Sequence, residues 1–400
     1  MKIILITKYF NGNEIAARRW RNLIKYLKVD NCCVILTEIS GEQPEDVNHG
    51  NLIFVKCFNK SHKFNNNNIF KKILKQLLKY LFPQVLLDLF RAQKNLKEMK
   101  RRVNIHQLNN ADIMIASYGP IETILLGNSL KEELNIPYLI DFRDSFESTV
   151  GQQFFATKIL SRILEKRIIK KANGYLTVGQ SLAKYLSKIY GHKFYPIYSG
   201  WTESDDPPVL DRRAVGVVQN YIYYAGSIYS HRLESLKIVL DAIGTIPELS
   251  IRMRISDDYT SGGLDKLLSS VGDKNIFDRR PKVDKEKIRQ EQVSAFAVVV
   301  LEALDTSSVH QFNITGKLFE CLRAGPPVIV VAARHSELAS LTSGVEGCYV
   351  VETVEEFRDA FRRVKQKPLE SCISSDGSLR QFHAEVQSQK LKELINQVIG

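Results

Sequence analysis

The sequence predicts an α/β protein made of two doubly wound, Rossmann-like halves that face a cleft. Three observations predict it. Short apolar runs of strand length alternate with longer segments of helical period, and they do so in two series along the 400 residues. An acidic, proline-bearing stretch, "SDDPPV", separates the two series and suits a linker. The apolar runs are continuous rather than alternating, as in Val328 to Val331, which is the pattern of parallel strands buried on both faces.

The opening, "KIILITKYFNGNEIAARRWRNLIKYL", reads as a strand from Ile3 to Ile6, a turn at Asn11-Gly12-Asn13 and a helix from Ala16 to Leu27. "CCVILT" and "NLIFVKC" supply two further strands. "ADIMIASYGP" supplies another, ending at Ser117, Tyr118 and Gly119. A helix and the strand of "NIPYLIDFRDSF" follow, closing on Asp141, Phe142, Arg143 and Asp144. A long helix over "FATKILSRILEKRIIKKANG" then precedes the strand "GYLTV". These elements make a first domain of residues 1–195. The second, residues 210–375, opens with "YIYYAG" and continues through "LSIRMRIS", "AFAVVVLEA" and "PVIVVAA". Residues 376–400 read as one amphipathic helix packing back on the first domain.

At 44% hydrophobic and 25% charged residues, the composition is that of a globular chain. The net charge of +12 points to an acidic partner. Cys32, Cys33, Cys57, Cys321, Cys348 and Cys372 show neither metal-like nor redox-like spacing, which favours a reduced cytosolic compartment. The short apolar start is neither a signal peptide nor a membrane span, and no run approaches the roughly 18 apolar residues of a spanning helix.

The stretch "GKLFECLRAGPPVIVV", from Gly316 to Val331, carries the sharpest chemistry. It reads as a helix from about Lys317 to Ala324, stopped by Gly325 and two prolines, then a buried strand. A glycine, a lysine and free backbone N–H groups at a helix entrance suit a phosphate. Glu320, one turn on, suits a pair of sugar hydroxyls. Together they suggest a nucleotide, against the plainer reading of a solvated Lys–Glu pair. Gly12 is either a turn glycine or a close approach to a donor phosphate. Glu14 suits the start of the helix that follows and is read as cleft-facing, whereas Arg18 and Arg19 read as solvated. Asp141, Arg143 and Asp144 end a strand, where functional groups gather in such folds. They suit a base or hydroxyl acceptor (Asp144) and a cation near developing negative charge (Arg143), or else a cap with an internal Asp–Arg ion pair. Ser117 ends the preceding strand with no histidine nearby. His231, beside Arg232, reads as a supporting or solvent-facing residue. Asn313-Ile314-Thr315 matches a glycosylation sequon by chance, and no spacing suggests a metal.

Six segments in order resemble the family 4 retaining glycosyltransferases of the GT-B fold, particularly bacterial enzymes that build surface polysaccharides. They are "KYFNGNEIAARRWRNLIKYL", "IPYLIDFRDSF", "EKRIIKKANGYLTVGQSLAKYL", "PIYSGW", "YYAGSIYSHRLESLKIVLDAI" and "TGKLFECLRAGPPVIVV". The resemblance covers nearly the whole chain. It implies a nucleotide-diphosphate sugar as donor, transfer with retention, and no metal or other cofactor. It also implies substrate contacts from Gly12, Glu14, Ser117, Gly226, Arg232, Thr315, Gly316, Lys317 and Glu320. Two departures stand out. Phe312 occupies the place of the family's first glutamate, and of its Arg…Lys pair, at Ser227 and Arg232, only one cation survives.

The positive charge concentrates in an insert over about residues 65–105. Ile69, Ile73, Leu74, Leu77, Leu78 and Leu81 recur at helical spacing, with Lys71, Lys72, Lys75 and Lys79 between them, and Pro83 divides the pattern. That is the profile of a helix lying on anionic lipid, set against a packed helix whose lysines face water. No stacking platform or motif for nucleic acid is present. The expectation is a peripheral enzyme on the inner face of the cytoplasmic membrane, acting on a lipid-linked or polysaccharide acceptor such as lipopolysaccharide. The alternatives are a non-catalytic scaffold subunit and a GT-B-fold sugar-nucleotide epimerase. A Rossmann oxidoreductase is disfavoured, since no Gly-x-Gly-x-x-Gly follows a strand.

Overall fold

The computed structural model describes residues 1–8, 10, 15–27, 32–37, 52–56, 84–144, 155–202, 219–247, 249–255, 263–272, 274–305, 312, 314–366 and 377–400. The chain forms two compact units, Met1–Gly200 with Ala384–Gly400 and Trp201–His383. Gly12, Glu14, the acidic linker residues 204–209 and Lys71, Lys72, Lys75 and Lys79 of the insert lie outside the described residues.

The first unit holds a seven-stranded parallel sheet. Its strands are β1 (Lys2–Ile6), β2 (Cys32–Thr37), β3 (Leu52–Lys56), β4 (Ile113–Ser117), β5 (Tyr138–Phe142), β6 (Gly174–Thr177) and β7 (Phe194–Pro196). Their order is β3-β2-β1-β4-β5-β6-β7. The sequence β1 to β3 therefore grows one way from the middle and β4 to β7 the other, making a switch point between β1 and β4. The apolar runs are buried as their lack of alternation predicts: every residue of β4 and β5 is inside, including Asp141. Trp20 and Leu23 of the helix Ile15–Tyr26 pack on one face together with Leu391 and Ile395 of the last helix. The Ser388 hydroxyl of that last helix donates to the carbonyl of Leu23 at 2.8 Å.

The second unit repeats the plan with six parallel strands: β8 (Gln219–Ala225), β9 (Ser250–Ile255), β10 (Phe277–Pro281), β11 (Ala295–Leu301), β12 (Val328–Val331) and β13 (Cys348–Val351). Their order is β10-β9-β8-β11-β12-β13, so the switch point lies between β8 and β11. Ile329 and Val331 join the core on one face with Leu236, Val239 and Leu240 of the helix Leu233–Ile243.

The α/β expectation of two doubly wound sheets holds. One element does not. The single helix expected over residues 376–400 is two pieces, a 3-10 turn Gly377–Phe382 and a helix Ala384–Ile399. The backbone between them has another task. Trp201 pairs with His383 in a parallel bridge, and the Trp201 N–H donates to the Phe382 carbonyl at 3.2 Å. A carbonyl used in that bridge is turned out of the helical ladder, so the amphipathic period continues in sequence but not in space. Among the described residues, no helix is long and apolar enough to cross a membrane.

Candidate functional site

In the second unit the candidate residues gather at the carboxyl ends of β8, β11 and the strand-to-helix passage before β12. The helix after Lys317 is Leu318–Arg323, with Lys317 itself as its N-cap. Gly325 follows the helix at φ 94, the left-handed C′ conformation that the Gly-Pro-Pro stop predicts. At six residues the helix is shorter than expected and carries a small dipole, so attraction for an anion rests chiefly on Lys317.

Lys317 reaches across to the end of β8, where its Nζ donates to the Ala225 carbonyl at 2.6 Å and lies 5.9 Å from the centre of the Tyr224 ring. Gly226, at φ 151, makes room for it: a Cβ on Gly226 would overlap the Lys317 ammonium. Gly226 thus acts on Lys317, and Gly226→Ala is expected to displace the ammonium from β8. The variant should lose about tenfold or more in affinity for nucleoside diphosphates, by analogy with losing one charged hydrogen bond. Calorimetric titration with UDP checks this, and unchanged affinity would refute it. Burial lowers the Lys317 pKa to about 8, with Arg232 adding to the effect while Cys321 and Glu320 oppose it. An anion held by Lys317 is therefore held most tightly below that pH. Glu320 is half-buried on the helix's first turn, and Thr315 and Gly316 are half-buried just before it.

Arg232 ends the 3-10 turn Ser230–Arg232 that follows β8. Its guanidinium is largely engaged inside the protein. Nη2 donates to Glu302 Oε2 at 2.8 Å, Nε to Oε1 at 3.5 Å and Nη1 to the Ser227 carbonyl at 3.3 Å. His231 is not solvent-facing: its Nε2 lies 3.2 Å from Glu302 Oε1. Glu302 itself is 0% exposed. Burial alone would raise its pKa, but His231 and Arg232 outweigh that and hold the carboxyl below the usual range. Sequence reasoning missed Glu302. The signal was present, since a glutamate directly after five apolar residues, "AVVVLE", can only end up at the buried tip of a central strand.

In the first unit, Ser117 and Asp141 are register partners near the ends of adjacent strands and are both buried. Arg19, read from the sequence as solvated, is 1% exposed. Its Nη2 donates to Asp141 Oδ1 at 2.9 Å, its Nη1 to the Ile197 carbonyl at 2.6 Å, and the Ser117 hydroxyl donates to Asp141 Oδ2 at 3.2 Å. The ion pair of Asp141 is therefore with Arg19 on the first helix, and Ser117 supports it. Arg143 is half-buried and braces the loop after β4, with Nε donating to the Tyr118 carbonyl at 3.2 Å and Nη2 to that of Gly119 at 3.3 Å. Gly119, at φ 113, is again a glycine whose Cβ would collide with a cation, here the Arg143 guanidinium. Asp144 follows on the surface.

Solved structures of the same architecture match along the whole chain. Sucrose-phosphate synthase from Thermosynechococcus elongatus matches with a TM-score of 0.67 at 14% identity, covering 99% of this chain and 98% of that one. The fold is GT-B. Anabaena HepE in complex with UDP and glucose matches at 0.62 and 13% identity over 99% of this chain and 100% of its own. The lipopolysaccharide outer core galactosyltransferase WaaB matches at 0.58 and 12% identity over 99% of both chains. No protein-family model matches the sequence, and no curated protein does either. At such identities the likeness establishes the fold, and the chemistry has to be argued from the residues.

Proposed function

We propose that this GT-B chain is a nucleotide-sugar-dependent glycosyltransferase that transfers a sugar, with retention, to a lipid-linked or polysaccharide acceptor in bacterial surface-polysaccharide synthesis. The observation that carries the reading is Lys317 held over the end of β8 with Glu320 one turn further on, at the switch point of the second sheet. In this reading Gly316 and Lys317 meet the donor diphosphate and Thr315 lines the same entrance. Glu320 accepts hydrogen bonds from the ribose diol, and Arg232, braced by Glu302, borders the phosphates. The leaving diphosphate gains charge in the transition state, so a lysine in partly dehydrated surroundings stabilises that state more than the ground state. The solved HepE structure, with UDP and glucose, supports a nucleotide-sugar donor. The name of WaaB supports a lipopolysaccharide-type acceptor.

Thermal melts against a panel of sugar nucleotides test the reading. A ligand at a hundred times its Kd should stabilise the fold by about 2.7 kcal/mol. Transfer or hydrolysis of the stabilising donor then separates an enzyme from a scaffold subunit, and conversion of the donor sugar without transfer marks an epimerase. A chain that no sugar nucleotide stabilises is not a glycosyltransferase.

Asp144, with Arg143 beside it, is proposed to serve the acceptor hydroxyl and the transition state. Asp144→Asn is then expected to lower kcat by about a hundredfold or more while leaving donor affinity unchanged. Equal turnover of variant and wild type would return Asp144 to a purely structural role.

The basic insert is proposed to lie on the inner face of the cytoplasmic membrane, as the cationic helical period of residues 69–81 motivates. Replacing Lys71, Lys72, Lys75 and Lys79 by glutamine should cut partitioning onto anionic vesicles by about a hundredfold or more at low salt, at about 1 kcal/mol per lysine. High salt should have the same effect on the wild type. Co-sedimentation that responds to neither would leave the insert as packed structure.

A further inference from the structure

Glu302 is an expensive residue for its place. A carboxylate buried at the tip of a central strand loses its water, and an apolar residue would fill the same volume without that cost. The side chains that face its carboxylate, Arg232 and His231, both come from the loop after β8. Oε2 accepts from Arg232 Nη2 at 2.8 Å, while Oε1 faces Arg232 Nε at 3.5 Å, lies 3.2 Å from His231 Nε2 and accepts the Ala303 N–H at 3.2 Å. Its backbone is fixed as well, with the Ser235 hydroxyl donating to its carbonyl and its own N–H bonded to the Val331 carbonyl at 3.0 Å. The Tyr229 ring stacks on His231 at 5.6 Å and lies 5.3 Å from the Arg232 guanidinium, so both side chains are pressed into one arrangement.

The same loop faces Lys317: Gly226 at its start packs against the Lys317 ammonium, and the Ser227 carbonyl that Arg232 holds also accepts from Tyr224, whose ring lies 5.9 Å from that ammonium. Arg232 and Lys282 act on Lys317 as like charges, while Glu320 and Cys321 act in the opposite sense. Arg232 is the stronger of the two like charges, and Glu302 is the carboxylate bonded to it. We propose that Glu302 is a positioning residue for Lys317: it locks Arg232 and His231 onto the end of β11 and cancels the Arg232 charge that the Lys317 ammonium would otherwise face. The consequence for a bound diphosphate rests on the nucleotide reading above, whereas the charge relation does not. With Glu302 ionised, Lys317 keeps its proton through neutral pH, in a pocket where a second uncompensated cation would drive it off.

The sign of the effect is what separates this role from simple structural support. Glu302→Gln leaves Arg232 uncompensated, so the protonated form of Lys317 is penalised and its titration midpoint falls. Arg232→Gln leaves Glu302 without its guanidinium partner, so the protonated form is favoured and the midpoint rises. Each shift should be on the order of one pH unit. The double variant should titrate near the wild type.

The measurement is the pH titration of the Lys317 side-chain resonance in protein carrying isotope-labelled lysine, assigned with Lys317→Arg. UDP binding is followed in parallel by calorimetry across the same pH range. Opposite shifts in the two single variants, with the double variant restored, uphold the proposal. The pH above which UDP affinity declines should then move down in Glu302→Gln. Shifts of the same sign in both, or none in either, overturn it. Should Glu302→Gln not fold, the rise in Arg232→Gln decides alone, and its absence overturns the proposal. Opposite shifts in a wild-type background that binds no UDP at any pH uphold the charge relation and reject the nucleotide reading.

Discussion

Replacing Glu320 by alanine is expected to weaken UDP binding by about 30- to 150-fold, the equivalent of about 2–3 kcal/mol for a charged contact to two hydroxyls. The motive is its position: a half-buried carboxylate on the first turn after Lys317, on a helix whose other side is buried through Leu318, Phe319, Cys321 and Leu322. The loss should grow with pH. Glu320 helps keep Lys317 protonated, so its removal lowers a midpoint that already stands at about 8. Near pH 6 only the hydroxyl contact is lost, whereas near pH 8 part of the Lys317 charge goes with it. Calorimetric titration of wild type and Glu320→Ala with UDP at both pH values is the check. A variant that binds UDP as tightly as the wild type would show that Glu320 does not face a nucleotide.

The largest effect on stability is expected in the first unit, from Arg19→Met. Asp141 is 0% exposed, and Arg19 is the cation that compensates it. Removing one partner of such a pair leaves a buried charge and costs about 3–5 kcal/mol. Removing both in Arg19→Met with Asp141→Leu should recover most of that loss, because the desolvation cost disappears together with the attraction. The chain has two tryptophans, Trp20 in the first unit and Trp201 in the second. In a Trp201→Phe background the fluorescence of Trp20 therefore reports the first unit by itself. Urea unfolding followed in this way should show a lower midpoint for the single variant and a near-normal one for the double. A single variant as stable as its parent would mean that the pair contributes nothing.

Strands and helices came from local pattern, since periodicity depends only on residues a few places apart. That is why Ile3–Ile6, Val328–Val331 and the stop at Gly325 were legible, as was the spacing of Lys317 and Glu320. The break at His383 was not, because the residue that claims the backbone there is Trp201, far away in the chain. Arg19 was misread for the same reason. On its own helix it is one of two adjacent arginines, and nothing within a turn of it says that it is buried.

The sequence by itself determined the α/β alternation, its repetition in two series and the residue types crowded at the strand ends. Tertiary structure alone decided which charges meet. Arg19 and Asp141 are 122 residues apart, Arg232 and Glu302 are 70, and Lys317 and the Ala225 carbonyl are 92. The physical reason lies in strand order. β8 and β11 are neighbours although β9 and β10 come between them in the chain, and β1 and β4 are neighbours across β2 and β3. A residue at a strand tip therefore meets whatever the sheet order brings beside it, and that order is set by the packing of whole elements rather than by any local run of residues.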